Sequence, residues 1–172
     1  MATALNAFML LGDAGGESKQ MPGWIELQAW DWEVEAETSW TKGGGAAVGK
    51  PSPGKMNWEH PFDRSSNIVL ANICTGKSFP EVKLEMYKST GKSQREKFFW
   101  ITMTEAFITK VTQSATDEGN VTQKVEMVFK TIVIEYKPQG KGFSGSAGGL
   151  GAGVKFDWDI PAGVAHPDSY NG

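Results

Sequence analysis

Residues 21–36, Met21-Pro-Gly-Trp-Ile-Glu-Leu-Gln-Ala-Trp-Asp-Trp-Glu-Val-Glu-Ala36, form the longest strand-like stretch of the chain and carry three of its seven tryptophans. Apolar residues alternate from Ile25 to Ala29, which predicts a half-buried strand. The alternation then changes phase, so that Trp30 and Val34 take the apolar positions. This change predicts either a bulge or a strand that is apolar on both faces, with one face on its own core and the other on a neighbouring subunit.

The composition predicts one globular domain over residues 1–172, because the chain is 40% hydrophobic, 22% charged and long enough for one core. A net charge of −3 without a basic cluster argues against nucleic-acid binding. The single cysteine, Cys74, excludes an internal disulfide framework and fits a reducing compartment. Residues 7–11 are the only apolar run near the N-terminus, and no positive charge precedes them. We therefore expect folding in the cytoplasm and no membrane insertion.

Alternating patterns predict eight or nine strands and a mainly β fold. Besides residues 21–36, they cover residues 7–11, 56–62, 82–86, 97–112, 125–131, 132–136 and 154–160. Two glycine-rich segments, residues 38–55 and 140–153, are predicted as loops, because their composition disfavours both helix and sheet. Many short, evenly spaced strands indicate a small, closed or partly open antiparallel β-barrel.

One helix is predicted over residues 67–75. Residues 63–66 offer N-cap side chains, and Gly76 suits the residue that follows a helix. The apolar residues Val69 and Cys74 are placed on one helix face, so Cys74 is predicted to be a small buried hydrophobe. Pro61 lacks a backbone donor, which predicts that the preceding strand ends at an edge or a bulge.

No combination of nucleophile, base and orienting group is found, so the chain is not expected to be an enzyme. The segment ending in Gly76-Lys-Ser resembles a relaxed phosphate-binding loop, but a helix precedes it where a strand is required. His60 and His166 lack metal-ligand spacing, and no metal or cofactor is expected. Asp157 and Asp159 alternate with apolar residues and are predicted on a solvated outer face.

Several short strings, taken in order, resemble the Hcp family, the hemolysin-coregulated tube proteins of type VI secretion systems. They are Gly16-Glu-Ser, Trp30-Asp-Trp, the glycine-rich segment that follows, Cys74-Thr-Gly-Lys, Phe98-Phe-Trp-Ile-Thr-Met, Glu135-Tyr-Lys-Pro-Gln and Trp158-Asp-Ile. No single string is specific, but their number, order and spacing span nearly the whole chain.

The resemblance implies a small β-barrel with one helix on its side. It also implies hexameric rings that stack into a tube inside a contractile sheath and carry small effectors in the lumen. The implied partners are further copies of the chain, the spike protein, sheath and baseplate components, and secreted effectors. Assembly in the cytoplasm would precede secretion into the surroundings or a target cell, without a signal peptide.

The resemblance also assigns residues to surfaces. Asp31 and Glu33 are expected to face the lumen and its cargo, whereas Trp30, Trp32 and Val34 are expected at the subunit interface. Many family members have serine at the position of Asp31. The resemblance therefore implies a ring of carboxylates here, which would favour basic or polar cargo.

The glycine-rich segment after this strand is implied to be an arm that reaches the adjacent ring. The residues expected to make this stacking contact are Trp40, Lys42, Gly43, Gly44 and Gly45. Two other functions remain open from the residues alone. A monomeric β-barrel could bind a small apolar ligand in its interior, and a hydrolase could use Asp157 and Asp159.

Overall fold

The computed structural model describes residues 5–41, 44–89, 95–138 and 153–167, and the architecture is mainly β with one helix, as predicted. The elements are β1 (Ala7–Leu11), β2 (Ile25–Glu26), β3 (Ala29–Asp31), β4 (Val34–Thr41), β5 (Gly45–Pro53), β6 (Met56–Pro61), α1 (Arg64–Thr75), β7 (Phe79–Ser89), β8 (Arg95–Ala115), β9 (Val121–Val128), β10 (Thr131–Tyr136), β11 (Val154–Asp159) and β12 (Val164–Pro167). The predicted loop at residues 140–153 lies outside the described residues, apart from its last position.

Ten strands form one antiparallel sheet in two parts that share β8. The first part runs in the order β12-β11-β10-β8-β7-β1-β2, and the second in the order β3-β6-β9-β8. The first half of β8 pairs with β7 and β10, while its second half pairs with β9. We call the second part, β3-β6-β9-β8, the four-stranded segment.

Both parts of the sheet enclose a single apolar core, as in a partly open barrel. Met9, Leu84 and Met103 contribute from the larger part, and Trp58 and Met127 from the four-stranded segment; all five are at most 2% exposed. Burial of this apolar surface supplies the main free energy that holds the two parts together.

Residues 21–36 do not form one strand, so this prediction is wrong in its extent. The chain pairs with β1 through β2 and then with β6 through β3. Between them the Leu27 amide donates to the Ala7 carbonyl over 2.9 Å, and the Gln28 amide donates to the Glu59 carbonyl over 2.8 Å. The phase change in the sequence thus marks a crossing from one part of the sheet to the other.

Residues 38–55 are not a loop, because β4 and β5 form a two-stranded hairpin across most of them. Gly45 begins β5 at φ 81°, a conformation that favours glycine. Pro51 and Pro53 are tolerated because β5 pairs only with β4 in the described structure, and a strand edge needs no further donors.

The helix begins at Arg64, three residues before the predicted start. It ends before Gly76, as predicted, and Gly76 has φ 67°. The Asp63 side chain accepts from the Ser65 amide over 2.9 Å and caps the helix. Cys74 is exposed, so its predicted burial is wrong. The buried face is centred on Val69, and Cys74 lies about 140° around the helix from it, at about 100° per residue.

Candidate assembly surfaces

The strand registers of the four-stranded segment place Asp31 and Trp30 on opposite faces. Residues directly opposite each other on paired strands share a face. The row Trp30-Trp58-Val125-Val111 points into the core, whereas the rows Asp31-Asn57-Glu126-Lys110 and Ala29-Glu59-Lys124-Thr112 point outward. Trp58 and Val125 are almost fully buried, and Asp31 is exposed. We call the surface formed by the two outward rows the outer polar face.

Positive and negative side chains balance on the outer polar face. Lys55 pairs with Glu126 at 3.3 Å, and Lys124 lies 4.0 Å from Glu59. Asp31 accepts a hydrogen bond from the neutral Asn57 amide over 3.0 Å. The rows carry the acids Asp31, Glu59 and Glu126 and the bases Lys110 and Lys124, and Lys55, just before β6, adds a third base through its pair with Glu126. The carboxylate of Asp31 therefore does not make this face acidic as a whole.

The two tryptophans expected at a subunit interface make contacts within their own chain. Trp30 stacks on Phe99 with ring centroids 5.6 Å apart. The Trp32 indole donates to the Gly54 carbonyl over 3.1 Å, and its ring lies 6.5 Å from that of Trp158. Both tryptophans are half-buried, so an interface role for their remaining surface stays a prediction.

Glu33 and Val34 link the four-stranded segment to the hairpin. Glu33 is exposed, and its carbonyl accepts from the Gly54 amide over 2.8 Å. Val34 begins β4 and is 46% exposed. The structure therefore leaves both side chains free to meet another molecule.

One face of the β4–β5 hairpin is apolar and uncovered. Alternate residues of β4 and their direct partners on β5 make up this face: Val34 and Pro53, Ala36 and Pro51, Thr38 and Val48, and Trp40 and Ala46. Trp40 is 83% exposed and Val48 is 70% exposed. We call it the apolar hairpin face. Of the other residues expected in the arm, Gly44 is exposed beside Gly45, whereas Lys42 and Gly43 lie outside the described residues.

A buried polar cluster joins the sheet to the start of α1, and its role was missed from the sequence. The Trp58 indole donates to His60 Nδ1 over 3.0 Å, and His60 Nε2 lies 3.1 Å from the Ser66 hydroxyl. The Gln123 amide donates to the Ser66 carbonyl and to the Gln113 side chain, each over 3.2 Å. One sequence signal for the burial of His60 exists: it alternates with Met56 and Trp58, so it shares their face of the strand.

Burial lowers the pKa of His60, against opposing effects of the Asp63 charge and the Gln123 side chain. An indole N–H can only donate, so Nδ1 carries no proton and the ring is neutral. The cluster therefore depends on an uncharged histidine.

The remaining candidate catalytic residues have structural contacts. Asp157 lies 2.9 Å from His166 across β11 and β12, and the Asp159 carboxylate accepts from the Ala162 amide over 3.1 Å in the following turn. Within the described ranges, no three His, Cys, Asp or Glu side chains gather closely enough to hold a metal ion. None of the helices in the described part of the chain is long and apolar enough to span a membrane.

A mainly β chain with one capped helix, a balanced polar sheet face and an uncovered apolar hairpin offers surfaces for contact with other chains and, among the described residues, no cluster of catalytic groups. The family model described as "Type VI secretion system effector, Hcp" matches residues 8–136. The chain belongs to the Hcp family of type VI secretion, a family of secreted structural tube proteins.

Known relatives agree with this assignment. The chain is 30% identical to Protein hcp1 of Pseudomonas aeruginosa over 160 residues, 91% of this chain and 96% of that protein. The fold is similar to that of Hcp1 from Salmonella typhimurium, with a TM-score of 0.75, 23% identity, and 95% and 100% of the two chains covered. It is also similar to a structure described as a type six secretion system protein, with a TM-score of 0.79, 21% identity and the same coverage.

Proposed function

We propose that this protein is a subunit of the type VI secretion inner tube, which forms hexameric rings that stack and are expelled with small effectors in the lumen. The observation that carries this proposal is the apolar hairpin face. An isolated two-stranded hairpin has little stability in water, and a projecting surface with Trp40 and Val48 exposed marks a contact site. A further copy of the chain is the partner that covers it.

The hairpin has the reach that a contact between rings requires. The eight residues of β4 span about 27 Å at about 3.4 Å per residue. The opposite face carries Glu35, Ser39 and Ser52, which remain in solvent when the apolar face is covered. Trp40, Gly44 and Gly45 lie at or beside the tip, and we assign them to the stacking contact together with Lys42 and Gly43 of the same segment. Val34, Trp30 and Trp32 lie at or near the base of the hairpin, beside the seam between subunits of one ring.

The outer polar face is suited to line a lumen. Six four-stranded segments with strands about 4.8 Å apart have a perimeter of about 115 Å, which corresponds to an opening about 37 Å across. A 100-residue protein, with a radius of gyration of about 13 Å, is about 34 Å across, so an opening of this width limits the cargo to small proteins. A balanced polar surface binds cargo weakly, which suits a carrier that must release it.

Asp31 and Glu33 are the residues that we assign to cargo contact. Because the outer polar face carries other charged side chains of both signs besides Asp31, we expect Asp31→Ser to change which proteins co-purify rather than to abolish carriage. An unchanged set of co-purifying proteins would argue against lumenal contact by Asp31.

Tubes of this kind are built in the cytoplasm within the sheath, on the baseplate, and leave the cell with the spike protein.

Replacing Trp40 and Val48 together by serine is expected to abolish stacking while rings persist, because the contact between rings loses its largest apolar side chains. Electron microscopy of purified protein, together with sedimentation, measures tubes against single rings. Ser39→Ala is the matched control, since Ser39 lies on the opposite face of the same strand and should leave stacking intact. Tubes of normal length from the double variant would contradict the assignment of the arm.

The alternative of a monomeric barrel with an apolar ligand finds less support in the structure. Side chains such as Met9, Met103 and Met127 fill the interior and are fully buried. Two grooves at the surface, of about 310 and 730 Å³, are lined mainly by polar and charged residues. A small apolar ligand would gain little from such walls.

A further inference from the structure

We propose that Asp31 of one copy pairs with Lys110 of the next copy around the ring, and that this ion pair sets the register between subunits. The inference rests on the proposed ring assembly and adds the residues that join one subunit to its neighbour.

Asp31 and Lys110 occupy the two ends of one cross-strand row. The row runs Asp31-Asn57-Glu126-Lys110 across the four-stranded segment. Asp31 lies on β3, which pairs only with β6 among the described strands. Lys110 lies in β8 beyond Ala106, the last residue of β8 that pairs with β7. At both residues the outer edge of the segment therefore has no further strand paired with it among the described residues.

These two charges are the ones that the outer polar face leaves without an opposite charge. Glu126 has Lys55 and Glu59 has Lys124, whereas Asp31 has only the neutral Asn57 amide. Lys110 is exposed and has no ion-pair partner in the described structure. An exposed acid and an exposed base, each unpaired, thus remain at opposite edges of the same face.

The two residues cannot meet within one copy. Three strand spacings of about 4.8 Å separate them by about 14 Å. A cyclic ring uses head-to-tail contacts, in which one edge of a subunit meets the other edge of the next. Such a contact brings Asp31 to Lys110 once per interface and leaves both facing the lumen. The pair then neutralises the two charges of the outer polar face that have no partner within one copy.

The adjacent row explains how the pair can set the register. It ends in Ala29 at one edge and Thr112 at the other, and neither residue is charged. A slip of two residues that brings Lys110 opposite Ala29 would therefore leave both Asp31 and Lys110 without a charged partner. Opposite charges across an interface select one alignment more than they add affinity.

Complementary charge reversals test the proposal directly. In Asp31→Lys every interface of a ring places lysine against lysine, and in Lys110→Asp every interface places aspartate against aspartate. We expect each variant to need about ten-fold more protein than the wild type to form rings at low salt, by light scattering. The two variants mixed in equal amounts should recover wild-type assembly, since alternating subunits pair lysine with aspartate at every contact.

Recovery on mixing also shows that both variants are folded, and the double variant Asp31→Lys/Lys110→Asp should assemble alone. Glu59→Gln is the matched control, because Glu59 pairs with Lys124 inside its own chain and should not affect ring formation. If the wild type forms rings but mixing and the double variant fail to restore assembly, the ion pair is wrong while the tube function stands. A wild type that remains monomeric overturns both.

Discussion

Replacing Gly16 by alanine is expected to destabilise the fold by about 3 kcal/mol, because there is no space for a methyl group at this position. A Cβ atom on Gly16 would lie 2.3 Å from the Trp24 carbonyl oxygen and 2.4 Å from its carbon. Hydrogen bonds hold residues 16–18 against residues 23–24: the Gly16 amide donates to the Gly23 carbonyl and the Ser18 amide to the Trp24 carbonyl, each over 3.0 Å.

The contact between residues 16–18 and residues 23–24 also positions Glu17 at the start of the helix. Its carboxylate accepts from the Arg64 amide over 3.2 Å, and its own amide donates to the Asp63 carboxylate over 3.3 Å. Displacement of Gly16 therefore weakens the contact that holds α1 to the first loop, besides introducing a clash. This contact gives a physical reason for the Gly-Glu-Ser string in the first loop.

Urea unfolding at a fixed protein concentration, followed by tryptophan fluorescence, measures the effect. Gly15→Ala is the matched control, since no atom lies within 4 Å of its Cβ position and its backbone is outside the left-handed region. The control should unfold within about 0.5 kcal/mol of the wild type. Equal urea midpoints for the two variants would show that Gly16 does not pack against the Trp24 backbone.

The stability of the fold is expected to fall as the pH drops below 6.5, because of the buried His60. Burial lowers the pKa of the native side chain from 6.5. Above pH 6.5 the histidine is neutral in both states, and stability is complete. Below it the unfolded chain takes up a proton that the native chain excludes, which costs up to about 1.4 kcal/mol per pH unit until the native pKa is reached.

The structural reason is the Trp58 indole, which donates to His60 Nδ1. A proton on Nδ1 would place two donors against each other in the core. Asp63 favours the charged form from the helix start but does not overcome burial. Arg64 and Glu17 lie beyond it in contact with solvent.

Unfolding free energies measured between pH 7 and 5 test this prediction. In His60→Gln the steep decline below pH 6.5 should flatten, although the variant is less stable at pH 7. In His166→Gln, which keeps the buried cluster, the decline should remain. A wild type with the same stability at pH 7 and pH 5 would refute the assignment of the neutral histidine.

Local signals in the sequence were sufficient for the C-terminal end of the helix, for the region of its N-cap and for the faces of short strands, although the helix starts three residues before the predicted start. The Asp63 cap and Gly76 act on their immediate neighbours, so a few residues identify them. Alternation placed Trp30 and Asp31 on opposite faces, which the registers confirm. The family strings extended this to the mainly β fold and to type VI secretion.

Features that depend on distant partners could not be predicted. The crossing at Leu27 and Gln28 depends on β1 and β6, which flank it in space but not in sequence. The lysines of the outer polar face, Lys110 and Lys124, come from β8 and β9, so only the registers show that they share a face with Asp31. The hairpin was predicted to be a loop because glycine and proline disfavour most strands, although a strand that pairs along one edge only tolerates both. The exposure of Cys74 follows from a helix face that buries Ser65, Ser66 and Asn72, which a count of apolar residues overlooks.

The mass of the purified protein in solution tests the tube function most directly. Size-exclusion chromatography with light scattering should give a discrete species of six copies of 18.7 kDa, about 112 kDa, with larger masses where rings stack. Electron microscopy of the same fraction should show rings with an opening about 37 Å across. A single species of 18.7 kDa at every working concentration would contradict the account and favour a monomeric binding module.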